Sequence, residues 1–305
     1  MDVLSDVLRS VKLTSVVYFK SDFSAPWGME VSSGEFAQFH MVIRGHCVLK
    51  SDETNIVLNA GDIVVFPLGT AHWLADETSS QRSNGRDVVH AIQSGRPMFR
   101  GERVSATLVC GHFELDRGFD HPFIENLPTL IHIRDNEKRE LSWLESISNL
   151  IIREADQEKP GSDLITSKLG EIFFIHILRA YILQHGKGQG FFAALRDSRI
   201  AKALSAIHAQ PDKNWTLADL SKVAGISRTG FSTQFKTLVG QTPLNYLTRW
   251  RMLMACEHLA ISPGSVGEVG DRVGYQSEAA FNRAFKKYIG QTPLKYRQQA
   301  QRYHV

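Results

Sequence analysis

Apolar positions in the last third of the chain recur at helical spacing, and they do so twice. Leu217, Leu220, Val223 and Ala224 follow the period of a helix, Gly225 and Ile226 interrupt it, and Phe231, Phe235 and Leu238 resume it on a second one. Fifty residues further on, Val266, Val269 and Val273 precede Gly274, and Phe281, Phe285 and Tyr288 form the next stripe. Ser227 and Ser277 stand where each second helix should begin, where a hydroxyl accepts a bond from an otherwise orphaned backbone N–H. The string GQTPL closes both copies, at 240–244 and 290–294. Two helices joined by a tight turn are the helix-turn-helix signature, and two copies in register are far more specific than one.

The first half has a different rhythm. Val3, Leu4, Val7, Leu8 and Val11 predict one helix over 3–14. Short strand-like stretches follow at 15–19, 27–31, 36–44, 46–50, 55–58, 62–66, 87–92 and 104–115, with turns at Gly45, Gly61 and Gly111. That spacing predicts an antiparallel barrel or jelly roll, with an exposed loop over 78–85 and a loop at 121–133 running into a closing strand. From 139 the period lengthens again. Leu141, Leu144, Ile147, Ile151 and Ile152 predict a helix to about 156, Pro160 and Gly161 break it, and Asp163 caps a second that runs to about 185. The apolar spread on this pair suits both a packing layer and a homodimer interface.

The fold class is therefore two-domain. An N-terminal all-β barrel (1–136) carries appended connector helices (137–185), and a hinge (186–195) around the GKGQG string follows. A C-terminal all-α domain (196–298) holds two helix-turn-helix units joined by a long helix, and 299–305 is a tail. Charge separates the halves. From Arg196 onward there are 16 Lys or Arg against 7 Asp or Glu, and before it 19 against 25. A basic domain with paired helix-turn-helix units expects double-stranded DNA as its partner. Three scattered cysteines suit a reducing cytoplasm and exclude a disulfide scaffold. The start of the chain lacks a secretion signal and no uncharged run reaches membrane-spanning length, so a cytoplasmic protein without a membrane partner is expected.

The string GDIVVFPLGTAHWLAD places Gly61, Pro67, Gly69 and His72 at the spacing of the second cupin signature, which it resembles. Gly34 and His40 resemble the start of the first signature. There the pattern departs: Val42 occupies the place of the expected second His, and His46 or Cys47 that of the expected Glu. His40 and His72, with Trp27, are candidates to bind a small-molecule effector. His40, His72, His46 and Cys47 are the candidate ligands for a metal ion in the barrel. In the plainer reading the histidines satisfy backbone groups and Cys47 is a buried small hydrophobe. Cys47 and Cys110 are the redox candidates, the latter with His112 close in sequence. No acid–base pair or complete ligand set can be assembled, so no enzyme is expected.

Residues 196–298 resemble the AraC/XylS family of bacterial transcription regulators, most specifically in the tail motif Gly290, Pro293 and Tyr296. The WGM string at Trp27, Phe39-His40 and the CG at Cys110 are similar to the cupin-type sensor domain of a subgroup. The resemblance implies seven helices, with a linker helix over about 243–259 that sets two recognition helices into successive major grooves, ~34 Å apart. It places Arg228, Thr229, Ser232, Thr233 and Lys236 on the outer face of the first recognition helix. Ala279, Ala280, Asn282 and Arg283 match them on the second, where Asn282 suits adenine, Arg283 guanine and Ala279 a thymine methyl. Lys286, Lys287, Arg249, Arg251 and Lys222 are expected on phosphates. The family further implies an activator that touches RNA polymerase. Two alternatives stand: a constitutive regulator whose barrel only dimerises, and a DNA-tethered, metal-dependent cupin enzyme.

Overall fold

A computed structural model of the chain describes residues 2–115, 121–135, 142–155, 159–185, 190–261 and 263–302. Its contacts divide into two units that interleave along the sequence. One is Leu13–Leu115 with Leu127–Leu183; the other is Met1–Lys12 and Asp116–Asn126 with Gln184–Val305. Two stretches of the expected 1–136 barrel, the N-terminal helix and the 121–126 segment, group by contacts with the C-terminal helices. The GKGQG hinge lies largely outside the described residues.

Helix α1 (Val3–Ser10) starts where Asp2 accepts a bond from the Leu4 N–H. The β unit then runs β1 (Thr14–Ser24), β2 (Gly28–Val31), β3 (Ala37–Ser51), β4 (Asn55–Asn59), β5 (Ile63–Phe66), β6 (His72–Ala75), β7 (Ser83–Asn84), α2 (Gly85–Gln93) and β8 (Val104–Glu114). After α3 (Pro122–Glu125) come β9 (Ile131–Ile133), α4 (Ser142–Ala155) and α5 (Ser162–His185). The two strands expected on either side of Gly45 are one, β3, and it is the hub of the sheet. Its first half pairs with β5 and β8, its second half with β4 and β6, and the register shifts between Val42 and Arg44. Inside the curl lie Phe19, Phe23, Trp27, Met29, Cys47, Leu49, Phe66, Leu74, Leu108 and Cys110. Phe39 and Phe113 face outward from the curl and are covered by Phe173 and Phe174 of α5. The strand expected over 87–92 is helix α2. Asn84 caps it by accepting from the Arg86 N–H, Val88 and Ile92 repeat at helical spacing, and a left-handed Gly95 follows it.

The helical unit continues with α6 (Phe191–Arg196), α7 (Ser198–Ala209), α8 (Leu217–Ala224), α9 (Arg228–Val239), α10 (Pro243–Ile261), α11 (Val266–Arg272), α12 (Glu278–Ile289) and α13 (Pro293–Arg302). Helices α7 to α13 are the seven that the family resemblance implied. Ser227 accepts from the Gly230 N–H and Ser277 from the Ala280 N–H, as their positions predicted. Thr216 and Ser265 add reciprocal capping boxes with Asp219 and Glu268 at the first helix of each pair. The linker α10, 19 residues long, spans about 28 Å at 1.5 Å per residue.

A buried polar chain crosses this unit. His208 Nδ1 lies 3.3 Å from Asp6 Oδ2, and its Nε2 lies 2.7 Å from the Tyr246 hydroxyl. That hydroxyl is 3.4 Å from His121 Nε2, while His121 Nδ1 accepts from the Phe123 N–H. One assignment of protons satisfies every group. His121 donates through Nε2, Tyr246 donates to His208, and His208 donates through Nδ1 to the Asp6 carboxylate. Both histidines are then neutral. Burial pushes the pKa of His121 down to about 3 and lowers that of His208, while the His208 bond holds Asp6 below the usual carboxylate range. Trp250 stacks on His208 with ring centroids 3.7 Å apart.

Candidate functional site

The two recognition helices present matching faces. On α9, Arg228, Thr229, Thr233 and Lys236 are exposed and Ser232 is half-exposed. Phe231 and Phe235 are fully buried behind them. On α12, Ala279, Arg283, Lys286 and Lys287 are exposed and Ala280 and Asn282 half-exposed, over buried Phe281 and Phe285. The fifty-residue register therefore sets Thr233 against Arg283 and Ser232 against Asn282. Two of the cations expected on phosphates have partners within the unit. Arg249 Nη1 reaches Glu125 at 3.3 Å, and Arg251 donates to the carbonyls of Pro211, Asp212 and Lys213. Lys222 remains exposed on α8.

A family model described as Cupin matches residues 2–183, more than half of the chain, and one described as Helix-turn-helix domain matches residues 220–299. The chain belongs to the AraC/XylS-type regulators with an N-terminal cupin domain. It is 29% identical over 296 residues to the HTH-type transcriptional regulator AlkR of Acinetobacter baylyi, across 92% of this chain and 94% of that one. The RCS-specific HTH-type transcriptional activator RclR of Escherichia coli is 25% identical over 284 residues, covering 92% and 91%. The DNA-binding domain of AdpA, solved with a target DNA, aligns with 34% of this chain and 93% of its own at 29% identity and a TM-score of 0.33. As an AraC-type regulator the chain is a sequence-specific DNA-binding protein, and the relatives named are regulators rather than enzymes.

A second candidate site of this AraC-type regulator is a cavity in the cupin domain. About 550 Å³ in volume, it opens between α2 and the 30–38 stretch, with apolar lining from Phe19, Met29, Val31 and Val89 and polar lining from Tyr18, Glu30, Glu35, Gln38, His40, Arg86, His90 and Cys110. His72 reaches this region because the backbone turns sharply at Gly69, whose φ of +67° and close approach to the Gly34 carbonyl leave no room for a side chain. Its Nδ1 is 2.7 Å from the Thr70 carbonyl, which can only accept, so Nδ1 carries the proton and Nε2 is an acceptor. His40 Nε2, 2.8 Å away, must then donate, and His40 Nδ1 accepts from the Cys110 thiol at 3.0 Å. Burial pulls His40 well below its ordinary pKa and His72 down to about 4, and pushes the Cys110 thiol up. His40 and Cys110, which line the cavity, thus belong with His72 to an uncharged relay with every proton placed.

The expected metal set does not come together. His46 is exposed on β3, and Cys47 is fully buried in the apolar cluster with its thiol pushed up to about 12 by burial. Two imidazole nitrogens on one tetrahedral metal at ~2.0–2.1 Å would sit roughly 3.3 Å apart. Here they are 2.8 Å apart and bonded to each other, and no group of three donors suited to a metal occurs among the described residues. The residues do not fit a resident metal. Trp27 is also corrected: its ring is core, and its Nε1 is spent on Ser105 Oγ at 3.0 Å. Of the three effector candidates only His40 lines the cavity. His112, expected beside Cys110, bonds Glu114 and stacks on Phe36. The sequence also offers His90 as a pocket residue, and it lines the cavity. Arg86 escapes because its segment reads as a strand, although the Asn84 cap and the Val88/Ile92 spacing signal a helix. Tyr18 and Gln38 escape because only the pairing of β1 and β3 with β8 brings them there.

Proposed function

We propose that this AraC-type regulator is a cytoplasmic activator whose cupin cavity takes up a small molecule and thereby changes its grip on DNA. The cavity beneath α2 carries this reading. Its neutral relay and apolar wall suit an uncharged molecule with an apolar body and one polar end toward Tyr18, Gln38 and Arg86. Exposed Leu150 on α4 and Leu164, Ile165 and Ile172 on α5 support a homodimer through these helices. Thr229, Ser232 and Thr233 of α9 and Ala279, Asn282 and Arg283 of α12 read bases, while Arg228, Lys236, Lys286 and Lys287 hold phosphates. RNA polymerase is the partner that an activator of this family implies. Hydrogen peroxide acting on Cys110 is a second input. The sulfur would take one peroxide oxygen to become a sulfenic acid, and the other would leave as water with the thiol proton that His40 Nδ1, 3.0 Å away, first accepts, although burial works against the thiolate.

Native mass spectrometry of the reduced full-length chain, paired with DNA affinity, tests the main reading. A dimer is expected, and Val89→Trp, which fills the cavity, should shift DNA affinity by roughly 5-fold or more, the lower end of usual allosteric coupling. An unchanged affinity in that variant marks a constitutive binder, and a monomer removes the pairing. A metal-sized mass lost in His40→Ala would replace the organic effector with a metal.

A further inference from the structure

The two helix-turn-helix units meet beside one residue of the linker. Arg251, in the middle of α10, donates Nε to the Pro211 carbonyl at 2.6 Å and Nη2 to those of Lys213 and Asp212 at 3.0 and 3.3 Å. Those carbonyls form the α7–α8 loop of the first unit. From the second unit comes the α11–α12 turn. Gly274 there has φ +85°, and a Cβ on it would stand 2.5 Å from the Asp212 carbonyl oxygen and 2.6 Å from Arg251 Nη2. The neighbouring Tyr275 ring lies 5.7 Å from the Arg251 guanidinium carbon. A loop of one unit, a turn of the other and the helix between them are thus closed around a single planar cation.

We infer that Arg251 is a positioning residue that fixes the angle and separation of the two recognition helices, and so the spacing of base-pair segments this regulator accepts. A helix alone transmits orientation only as well as its ends are packed. Here the guanidinium fork ties the linker to three carbonyls on one side while its face carries the aromatic of the other side. Lysine has the charge but not the planar fork, and methionine keeps the apolar stem alone. The inference rests on the reading that both recognition helices engage one duplex.

Arg251→Met and Arg251→Lys full-length chains test it, with spin labels on Lys236→Cys and Lys286→Cys; the three native cysteines are buried. The distance distribution between α9 and α12 should broaden or shift in the methionine variant and less so in the lysine one. The DNA probe is a duplex recovered by the wild-type chain from a random pool, with and without an insert of about 5 base pairs, half a helical turn, between the contacted segments. The insert should weaken wild-type binding, and that penalty should shrink roughly tenfold in Arg251→Met, about 1.4 kcal/mol. An unchanged distribution overturns the inference. With it, a uniform loss of affinity and a salt slope lower by about 1 would make Arg251 a phosphate contact. If the wild type ignores the insert, the two-groove reading fails, and the label distances still decide the role of Arg251.

Discussion

The two helix-turn-helix units of this regulator are near copies in sequence and differ in what fills the space around them. The second is packed with Met252, Ala255, Cys256, Leu259, Val269, Val273, Phe281 and Phe285, all from its own helices and the linker. The first has Phe231, Phe235 and Tyr246 where the second has Phe281, Phe285 and Tyr296, but behind Tyr246 stands the chain of His208, His121 and Asp6. Asp6 and His121 are far from α9 in sequence. The first unit is therefore completed by α1 and α3, whereas the second completes itself. Duplication kept the inner ring positions, Phe231/Phe281, Phe235/Phe285 and Tyr246/Tyr296, while the outward residues and the segments that close each core diverged.

The sharpest way to break that comparison is to empty both cores alike. Phe231→Ala and Phe281→Ala each remove a fully buried ring, and each should cost about 3–5 kcal/mol. The spread of damage should differ. Amide exchange on the full chain should rise in α11 and α12 alone for Phe281→Ala, but in α1, α3 and α7 as well as α8 and α9 for Phe231→Ala. Equal and local deprotection by both would mean that the polar chain does not couple the first unit to its borrowed segments.

Much of this was legible in the sequence. The apolar stripes at Phe231/Phe235 and Phe281/Phe285, the serine caps and the GQTPL tails depend on local spacing, and local spacing is what a sequence displays. The barrel was legible for the same reason, and so was the delivery of His72 by its Pro-x-Gly turn. What failed was long-range. Nothing near Asp6 announces His208 about two hundred residues away, and Val3 to Val11 read as an amphipathic helix without revealing which unit buries it. Arg251 looked like any cation on a DNA-binding helix, because its three carbonyl partners become visible only when the α7–α8 loop is in place. Cys110 was expected to answer to His112, its sequence neighbour, and instead answers to His40 across the sheet.

A smaller effect separates the outer faces. Thr233 and Arg283 occupy equivalent, exposed positions, but a hydroxyl contacts either base-pair type and a guanidinium can hold guanine at two points. Arg283→Ala should weaken binding to a selected duplex by about 1–3 kcal/mol, roughly 5- to 150-fold, and relax the preference at one base pair. Thr233→Ala should do less than half of that in free energy and leave the base preference nearly unchanged. Affinities for the duplex and its single-base variants check this. The reverse order would put the discriminating contacts on α9.

The smallest expected effect concerns protons. His121 has a folded pKa of about 3 against roughly 6.5 unfolded, so between these values the unfolded chain binds the proton and the folded one does not. Its contribution to stability is complete above pH 6.5 and is lost as pH falls toward 3. From pH 7 to 5.5 that loss comes to about 1 kcal/mol. His208, His40 and His72 have lowered pKa values as well and act in the same direction, so the wild-type slope alone assigns nothing. His121→Asn isolates the term, since it keeps a polar side chain that cannot titrate. Urea unfolding of the full chain at both pH values should show the variant losing about 1 kcal/mol less than wild type. Amide exchange in α11 and α12, corrected for intrinsic rates, should not follow that change, because no buried histidine or carboxylate occurs among the described residues of the second unit. An equal acid loss in variant and wild type would mean that His121 is reached by water when the chain is folded, and that the borrowed segments sit less firmly on the first unit than its hydrogen bonds require.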